Sequence, residues 1–350
     1  MAMLADSIDL VIGVDTHKET HTAALVSPTG AVLGTLTAST DRAGLGRLLA
    51  FGRSRSADRR LWVLEGTGSF GASLATALTA AGERVVEIDR PRRAARRHGA
   101  KSDPLDAVRA AREALGREHL GEPRRRGERE ALRVLLRTRE AVAGERRRAL
   151  NQLHALVISA PDELRAKLRR LRGGALIARA AGWRDVPGRT PELAATVRAI
   201  RSTARRISRA TIEADELEGD VRALIRSMAP DLLAEPGIGP LSAAWLVVAW
   251  SHPGRVRSEA AFAQLAGVAP IPASSGQTIR HRLNRSGDRI LNRTLHTIVI
   301  SRLRYDPTTQ AYAARRRAEG RTDREIIRCL KRFVARGLYR QMERVATLDN

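Results

Sequence analysis

The chain predicts an α/β domain followed by all-α structure, on three observations. Short apolar runs punctuated by turns fill its beginning, helix-period apolar patterns dominate from Glu128 onward, and a basic, helical third segment closes it. With 350 residues, 43% apolar and 29% charged, the sequence has room for more than one core and is neither disordered nor membrane-embedded as a whole.

Ile8 to Val14 is an apolar run suited to a buried strand, and His21 to Val26 and Ala31 to Thr37 follow as strands separated by the Pro28-Thr29-Gly30 turn. Leu45 to Phe51 reads as a helix, Leu61 to Leu64 as a strand, Phe70 to Ala81 as a helix and Arg84 to Ile88 as a fifth strand. Three strands joined by tight turns, then strand–helix units, describe a mixed sheet with helices on its faces. A stretch without acids, Arg90 to Lys101, leads into a helix from Asp103 to Leu115, with Asp103 as its N-cap and Pro104 at its first position. Residues 1–120 are the expected first domain.

Residues 121–229 are the expected helical, coiled-coil middle. From Glu128 to Val157, Leu132, Leu135, Val142, Ala149, Leu153 and Leu156 recur at helical spacing, with Arg139 and Arg146 filling two seam positions. The run Leu193, Val197, Ile200, Ala204, Ile207, Thr211, Ala214, Leu217, Val221, Leu224 and Met228 steps by fours and threes, as a coiled-coil seam does. Gly173-Gly174 and the Trp183 to Pro191 segment interrupt the two patterns. An intramolecular helical hairpin fits this spacing. Self-association into a dimer or tetramer fits it better, because a thin seam leaves little else to bury against. Residues 230–345 form the expected third, mainly helical domain, opening with the apolar helix Ala243 to Trp250.

The formal net charge is +24, from 62 Lys+Arg against 38 Asp+Glu, and all but Lys18, Lys101, Lys167 and Lys331 of those cations are arginines. A GC-rich coding preference exchanges Lys for Arg but leaves the sign balance alone, so the surplus points to a polyanionic partner, nucleic acid first. Arginine adds a planar fork that grips phosphate and stacks on bases. The lone Cys329 excludes an internal disulfide and a multi-cysteine metal site. The longest apolar run is far shorter than the roughly 20 residues that span a bilayer, and no secretory leader opens the chain, so a cytoplasmic, nucleoid-associated protein with no membrane partner is expected.

Asp15 and Glu65 each follow a buried apolar run, and Asp103 and Asp106 lie three apart at a helix start, sharing a face. Taken singly, Asp103 is a helix cap and Asp15 and Glu65 are solvated strand ends. Gathered in one cleft, four acids repel unless a divalent cation holds them. Their hard oxygen ligands suit Mg²⁺ or Mn²⁺, and two such ions roughly 4 Å apart assist phosphodiester chemistry.

Gly13-Val14-Asp15-Thr16-His17-Lys18, Glu65-Gly66-Thr67-Gly68 and Lys101-Ser102-Asp103-Pro104-Leu105-Asp106-Ala107 resemble the acidic blocks of the DEDD transposases of the insertion-sequence "one-ten" family, which includes the Piv-type DNA invertases. Pro236-Gly237-Ile238-Gly239 resembles the turn of a helix-hairpin-helix, where Gly237 and Gly239 let backbone amides approach a phosphate, although such a turn also simply joins two packed helices. Gly267-Val268-Ala269-Pro270 followed by Ser274-Ser275-Gly276 and by Arg280, Arg282, Arg285, Arg289 and Arg293 is similar to the family's C-terminal block. Asn284-Arg285-Ser286-Gly287-Asp288 departs from the family's lysine-glycine-asparagine pattern, and no fixed residue is expected at Thr16 or His17.

The resemblance implies an RNase H-like, RuvC-like first domain whose metal-binding tetrad is Asp15, Glu65, Asp103 and Asp106. It implies a serine nucleophile at Ser275, with Ser274 the neighbouring candidate. It also implies a transposase that rejoins DNA through a covalent phosphoserine, with sequences chosen by a structured noncoding bridge RNA. His281 and the nearby arginines would orient the phosphate. Arg92, Arg93, Arg96, Arg97 and the cluster Arg124 to Arg126 are expected backbone contacts to DNA or RNA, with a solvated face as the plain alternative. Two rival readings stand beside this one: a junction resolvase or nuclease that uses water, and a non-catalytic nucleic-acid-binding protein.

Overall fold

β1 (Leu10–Thr16) is buried along its first five residues, as a strand covered on both faces must be. The computed structural model describes residues 3–55, 59–88, 102–184, 190–274, 278 and 281–348, and puts β1 at the centre of a five-stranded sheet. β2 (Thr20–Val26) pairs antiparallel with β1, and β3 (Val32–Ser39) antiparallel with β2. On the other side β4 (Arg60–Glu65) and β5 (Val85–Ile88) add parallel strands, giving the order β3-β2-β1-β4-β5. The strand–helix alternation expected from the sequence is therefore present, with β1 starting and ending two residues later than the apolar run suggests.

Alternation of side chains divides the core. Leu10, Ile12 and Val14 meet Leu48 of α1 (Arg42–Arg53) and Leu74 and Leu78 of α2 (Ala72–Ala80) on one face. Val11 and Val63 meet Ala107, Ala110, Ala111 and Ala114 of α3 (Asp103–Leu115) on the other, beside a short 3-10 turn at Leu4–Ser7. Each large aliphatic side chain so buried contributes roughly 1.5–3 kcal/mol. Gly13 makes the α3 contact possible: a Cβ there would lie 2.1 Å from the Ala107 carbonyl oxygen and 2.7 Å from the Ala111 nitrogen. Helix and strand thus meet backbone to backbone.

A buried ionic group holds the opposite end of the sheet. The indole N–H of fully buried Trp62 donates to Glu83 at 3.1 Å, and Arg53 and Arg60 donate to the same carboxylate at 2.8 and 3.3 Å. Burial alone pushes the Glu83 carboxyl up. The hydrogen bonds from Arg53, Arg60 and Trp62 outweigh it and hold the group below the ordinary glutamate range.

The chain divides into two compact units, Met1–Arg125 and Arg126–Asn350. In the second, α4 (Glu128–Ile158) and α7 (Pro191–Met228) run antiparallel along each other. The two arginines in seam positions have partners across this pair: Arg139 donates to Glu218 at 3.0 Å and Arg146 to Thr211 at 2.8 Å. Leu153 and Val157 pack with Val197, Ile200 and Ala204, while Leu132 and Leu136 pack with Val221 and Ile225. The hairpin arrangement is present within the chain, the two helices burying much of each other's seam. The thin seam is thickened by α5 (Asp162–Leu168) and α6 (Gly173–Ala181), whose Leu164, Leu168 and Leu176 join the same cluster. α6 begins at Gly173-Gly174, one of the two segments read as interruptions, and α5 lies just before it; both are short helices between the two long patterns.

The rest of this unit is α8 (Pro230–Ala234), α9 (Pro240–Trp250), α10 (Glu259–Leu265), a hairpin of β6 (Ile271–Pro272) and β7 (His281–Arg282), then α11 (Arg289–Tyr305), α12 (Pro307–Ala318) and α13 (Asp323–Leu348). Phe262, Leu295, Ile298 and Leu338 share one core with Leu132 and Val221, so the long helices and the C-terminal helices are continuous in packing. Among the described residues no helix is long and apolar enough to cross a membrane.

Candidate functional site

Asp15 lies at the end of β1, past Gly13 and on the same side of the strand by two-residue alternation. That side faces α3, whose Ala107, Ala111 and Ala114 are packed on the sheet; Asp103 lies one turn before Ala107 on the same stripe. The backbone contact at Gly13 therefore draws the first turn of α3 up to the end of β1. The helix spans the expected residues, but its N-cap is Ser102 and Asp103 is the first helical residue. Asp103 is thus not the cap, and its carboxylate turns to His17.

His17 Nε2 lies 3.1 Å from Asp15 Oδ2 and 3.5 Å from Asp103 Oδ1. The backbone N–H of His17 donates to the Thr20 carbonyl at 3.0 Å, which places the residue at the β1–β2 turn. Among the described residues these are the one set of three side chains whose ligand atoms, all within 4.8 Å of one another, suit a metal ion. The Asp15 side chain is 13% exposed against 42% for His17 and 44% for Asp103, so the group opens to solvent from a buried base. Two carboxylates and an imidazole fit a divalent ion, and the nitrogen favours Mn²⁺ over Mg²⁺.

Glu65 ends β4 next to β1, one residue beyond the Val14–Leu64 pair, and its carbonyl accepts a 2.9 Å hydrogen bond from the Thr16 hydroxyl. Asp106 accepts from Arg109 at 2.8 Å. The structure thus brings Asp15 and Asp103 together, with Glu65 and Asp106 on adjoining elements but outside the close set. Sequence reasoning missed His17, which it treated as a variable position. Its signal was the spacing: two residues after Asp15, it falls on the same side of the chain. His21 pairs with Thr16 across β1 and β2 and is fully buried. Burial lowers its pKa below the ordinary histidine value.

In the second unit Ser274 is exposed in the connection between β6 and β7. Ser275, Arg280, Arg92, Arg93, Arg96 and Arg97 lie outside the described residues. Arg282 stands exposed on β7, across from Ile271, and Arg285 is exposed in the turn that follows. Asn284 anchors that turn, donating to the Gln264 carbonyl at 3.1 Å and accepting from the Ser286 N–H at 3.0 Å. Asn292 on α11 donates to the Ala266 carbonyl at 2.8 Å and accepts from Lys331 at 2.8 Å, which fixes the base of the hairpin. Gly237, at φ 73°, sits in the turn between α8 and α9, where a Cβ would lie 3.0 Å from the Ile298 carbonyl oxygen. Packing against α11 by itself accounts for this glycine. Gly239 is the N-cap of α9 and is open around its Cα.

Two family models match the chain. One, described as Transposase (DEDD_Tnp_IS110), covers residues 12–160, and the other, described as Transposase IS116/IS110/IS902 family, covers residues 230–314. The chain is similar to a 42 kDa protein of insertion element IS900 from Mycobacterium paratuberculosis, 27% identical over 91% of this chain and 92% of that protein. It is also similar to a 43.6 kDa protein of insertion element IS110 from Streptomyces coelicolor, 30% identical over 41% of this chain; that match spans only 33% of the Streptomyces protein. The first family match holds the β1–α3 acidic group and the second holds the serine hairpin, and on these two matches the chain belongs to the IS110 family of insertion-element transposases.

Proposed function

We propose that the protein is a DNA recombinase of a bacterial insertion element that cuts and rejoins strands through a covalent phosphoserine. The observation that carries this reading is the convergence of Asp15 and Asp103, from distant blocks of the sequence, on His17 at the end of a buried strand. In a chain of net charge +24, an acidic group of this kind makes chemical sense as a holder of metal beside phosphate.

In this reading the Ser275 oxygen attacks a DNA phosphorus. A serine O–P bond forms as the bond to one deoxyribose oxygen breaks; the serine gives up its proton, and the departing oxygen takes one up. A divalent ion, Mg²⁺ or Mn²⁺, supplies polarisation of the scissile phosphate when bound. Asp15, His17 and Asp103 would hold it, and Glu65 and Asp106 are the further acids that could contribute, Asp106 now being paired with Arg109. Arg280, Arg282 and Arg285 grip the phosphate beside the serine, and Arg92, Arg93, Arg96 and Arg97 contact nucleic-acid backbone. The mixed sheet with parallel strand–helix units supports an RNase H-like first domain. Family membership supports guidance by a bridge RNA. Because serine and acids belong to different compact units, a homo-oligomer is one arrangement that would join them.

A suicide DNA substrate with Mg²⁺ tests the reading. Wild-type protein should form a denaturant-stable phosphoserine adduct that Ser275→Ala and Asp15→Ala both lose. Cleavage that survives in Ser275→Ala and dies in Asp15→Ala means hydrolysis by water. DNA binding without any cleavage in the wild type means a non-catalytic protein.

A further inference from the structure

A cleft between α11, α12 and α13 encloses about 690 Å³, within the roughly 300–1,000 Å³ typical of ligand sites. Its floor is the buried Leu330, Val334 and Leu338 of α13. Three features set it apart from a simple packing gap.

Phe333 stands in it 55% exposed, edge-to-face with Tyr312 at 5.9 Å between ring centroids. With aromatics only 3% of the chain, two rings in one cleft is a concentration. The cleft is also lined by arginines. Arg302 is committed, donating to the Pro236 carbonyl at 2.8 Å and to Glu235 at 3.2 Å, which neutralises the one acid in the wall. Arg340 is 69% exposed and pairs with Glu259 at 3.3 Å from one edge of its guanidinium, and Arg344 has no carboxylate partner among the described residues. Finally, Gly337 lies inside the 26-residue α13 and lines the cleft, although glycine weakens a helix interior. A Cβ there would meet nothing within 4 Å, so packing does not demand glycine. What the missing side chain keeps open is the cleft.

We propose that this cleft takes an unpaired nucleotide of a DNA strand, its base stacked on Phe333 and its phosphate held by Arg340 and Arg344. An exposed ring beside solvent-exposed arginines is the combination that binds single strands, since stacking needs a free base face and a guanidinium has several N–H donors to offer a phosphate. A paired base in a duplex has both faces covered, which excludes double-stranded DNA from the ring. The inference rests on the DNA-handling reading above and adds a site remote in sequence from the serine hairpin and the acids.

Fluorescence anisotropy of the full chain with a labelled single-stranded DNA, the same sequence as duplex, and the same sequence as RNA tests it. Phe333→Ala should weaken single-stranded DNA binding roughly tenfold and leave duplex binding unchanged. Gly337→Leu should do the same by filling the cleft, with a melting temperature no lower than wild type, which separates blockage from misfolding. Equal weakening for single strand and duplex, or no weakening in either variant, overturns the proposal. An RNA affinity that depends on Phe333 while the DNA affinity does not overturns the assignment to DNA. A wild type that binds no nucleic acid at all overturns the DNA-handling reading itself, whereas intact duplex binding with no role for Phe333 sinks this inference alone.

Discussion

Asp15 ends a strand whose residues Val11, Ile12 and Val14 are 0% exposed, whereas Ser274 lies in the connection between two strands of two residues each. The first region is held from beneath by two layers of helix on a sheet. The second rests on a few polar contacts, chiefly Asn284 to Gln264 and Asn292 to Ala266. The acids must keep mutual distances of a few ångströms to share an ion, so a rigid base suits them. A group that meets a large polymer needs access more than fixed spacing, and an exposed hairpin gives it. The difference teaches that the scaffold's stiffness is spent where ligand geometry is demanding.

If that contrast is right, the largest effect should come from the scaffold under the acids. Glu83→Ala leaves Arg53, Arg60 and the Trp62 N–H without their shared acceptor and should lower the stability of the first unit by about 1–3 kcal/mol, chiefly through the buried indole N–H, read by denaturant unfolding. Because the folded pKa of Glu83 is depressed, its contribution is complete above the unfolded value of roughly 4.3 and is lost as pH falls through that range toward the folded value. Wild type should therefore lose stability over that acid range more steeply than the variant. Equal acid profiles would break the assignment of Glu83 as a keystone of the sheet.

A middle-sized effect belongs to the site itself. His17→Ala should reduce Mn²⁺ affinity about 10–100-fold, measured by calorimetry, and Mg²⁺ affinity less, since an imidazole nitrogen matters more to the softer ion. Unchanged Mn²⁺ binding would remove His17 from the ligand set. The smallest structural effect is expected at the hairpin: Arg282→Ala should alter stability by less than about 0.5 kcal/mol. It should still weaken DNA binding and reduce the salt slope by about one. A large stability loss there would erase the contrast between the two regions.

Much of this is legible in the sequence. The apolar run ending at Asp15 and the Ala-rich helix after Asp103 announce themselves because burial imposes their periods. The pairing of Arg139 and Arg146 with α7 was not legible, since a polar residue in a seam reads equally as a flaw, a register device or an oligomer contact until its partner is known. His17 escaped for a different reason: its meaning depends on Asp103, which only the fold brings within reach. The N-cap is Ser102 rather than Asp103, and the difference matters, because a capping carboxylate is spent on backbone amides.

Gly13 has one more implication. The clearance between strand and helix is a single hydrogen wide, so the two parts behave as one machined piece whose tolerance is set at residue 13. Any larger side chain there must lift α3, and with it Asp103, away from Asp15. The spacing of the two carboxylates is therefore gauged by an atom that belongs to neither, and it can drift only if that gauge is changed.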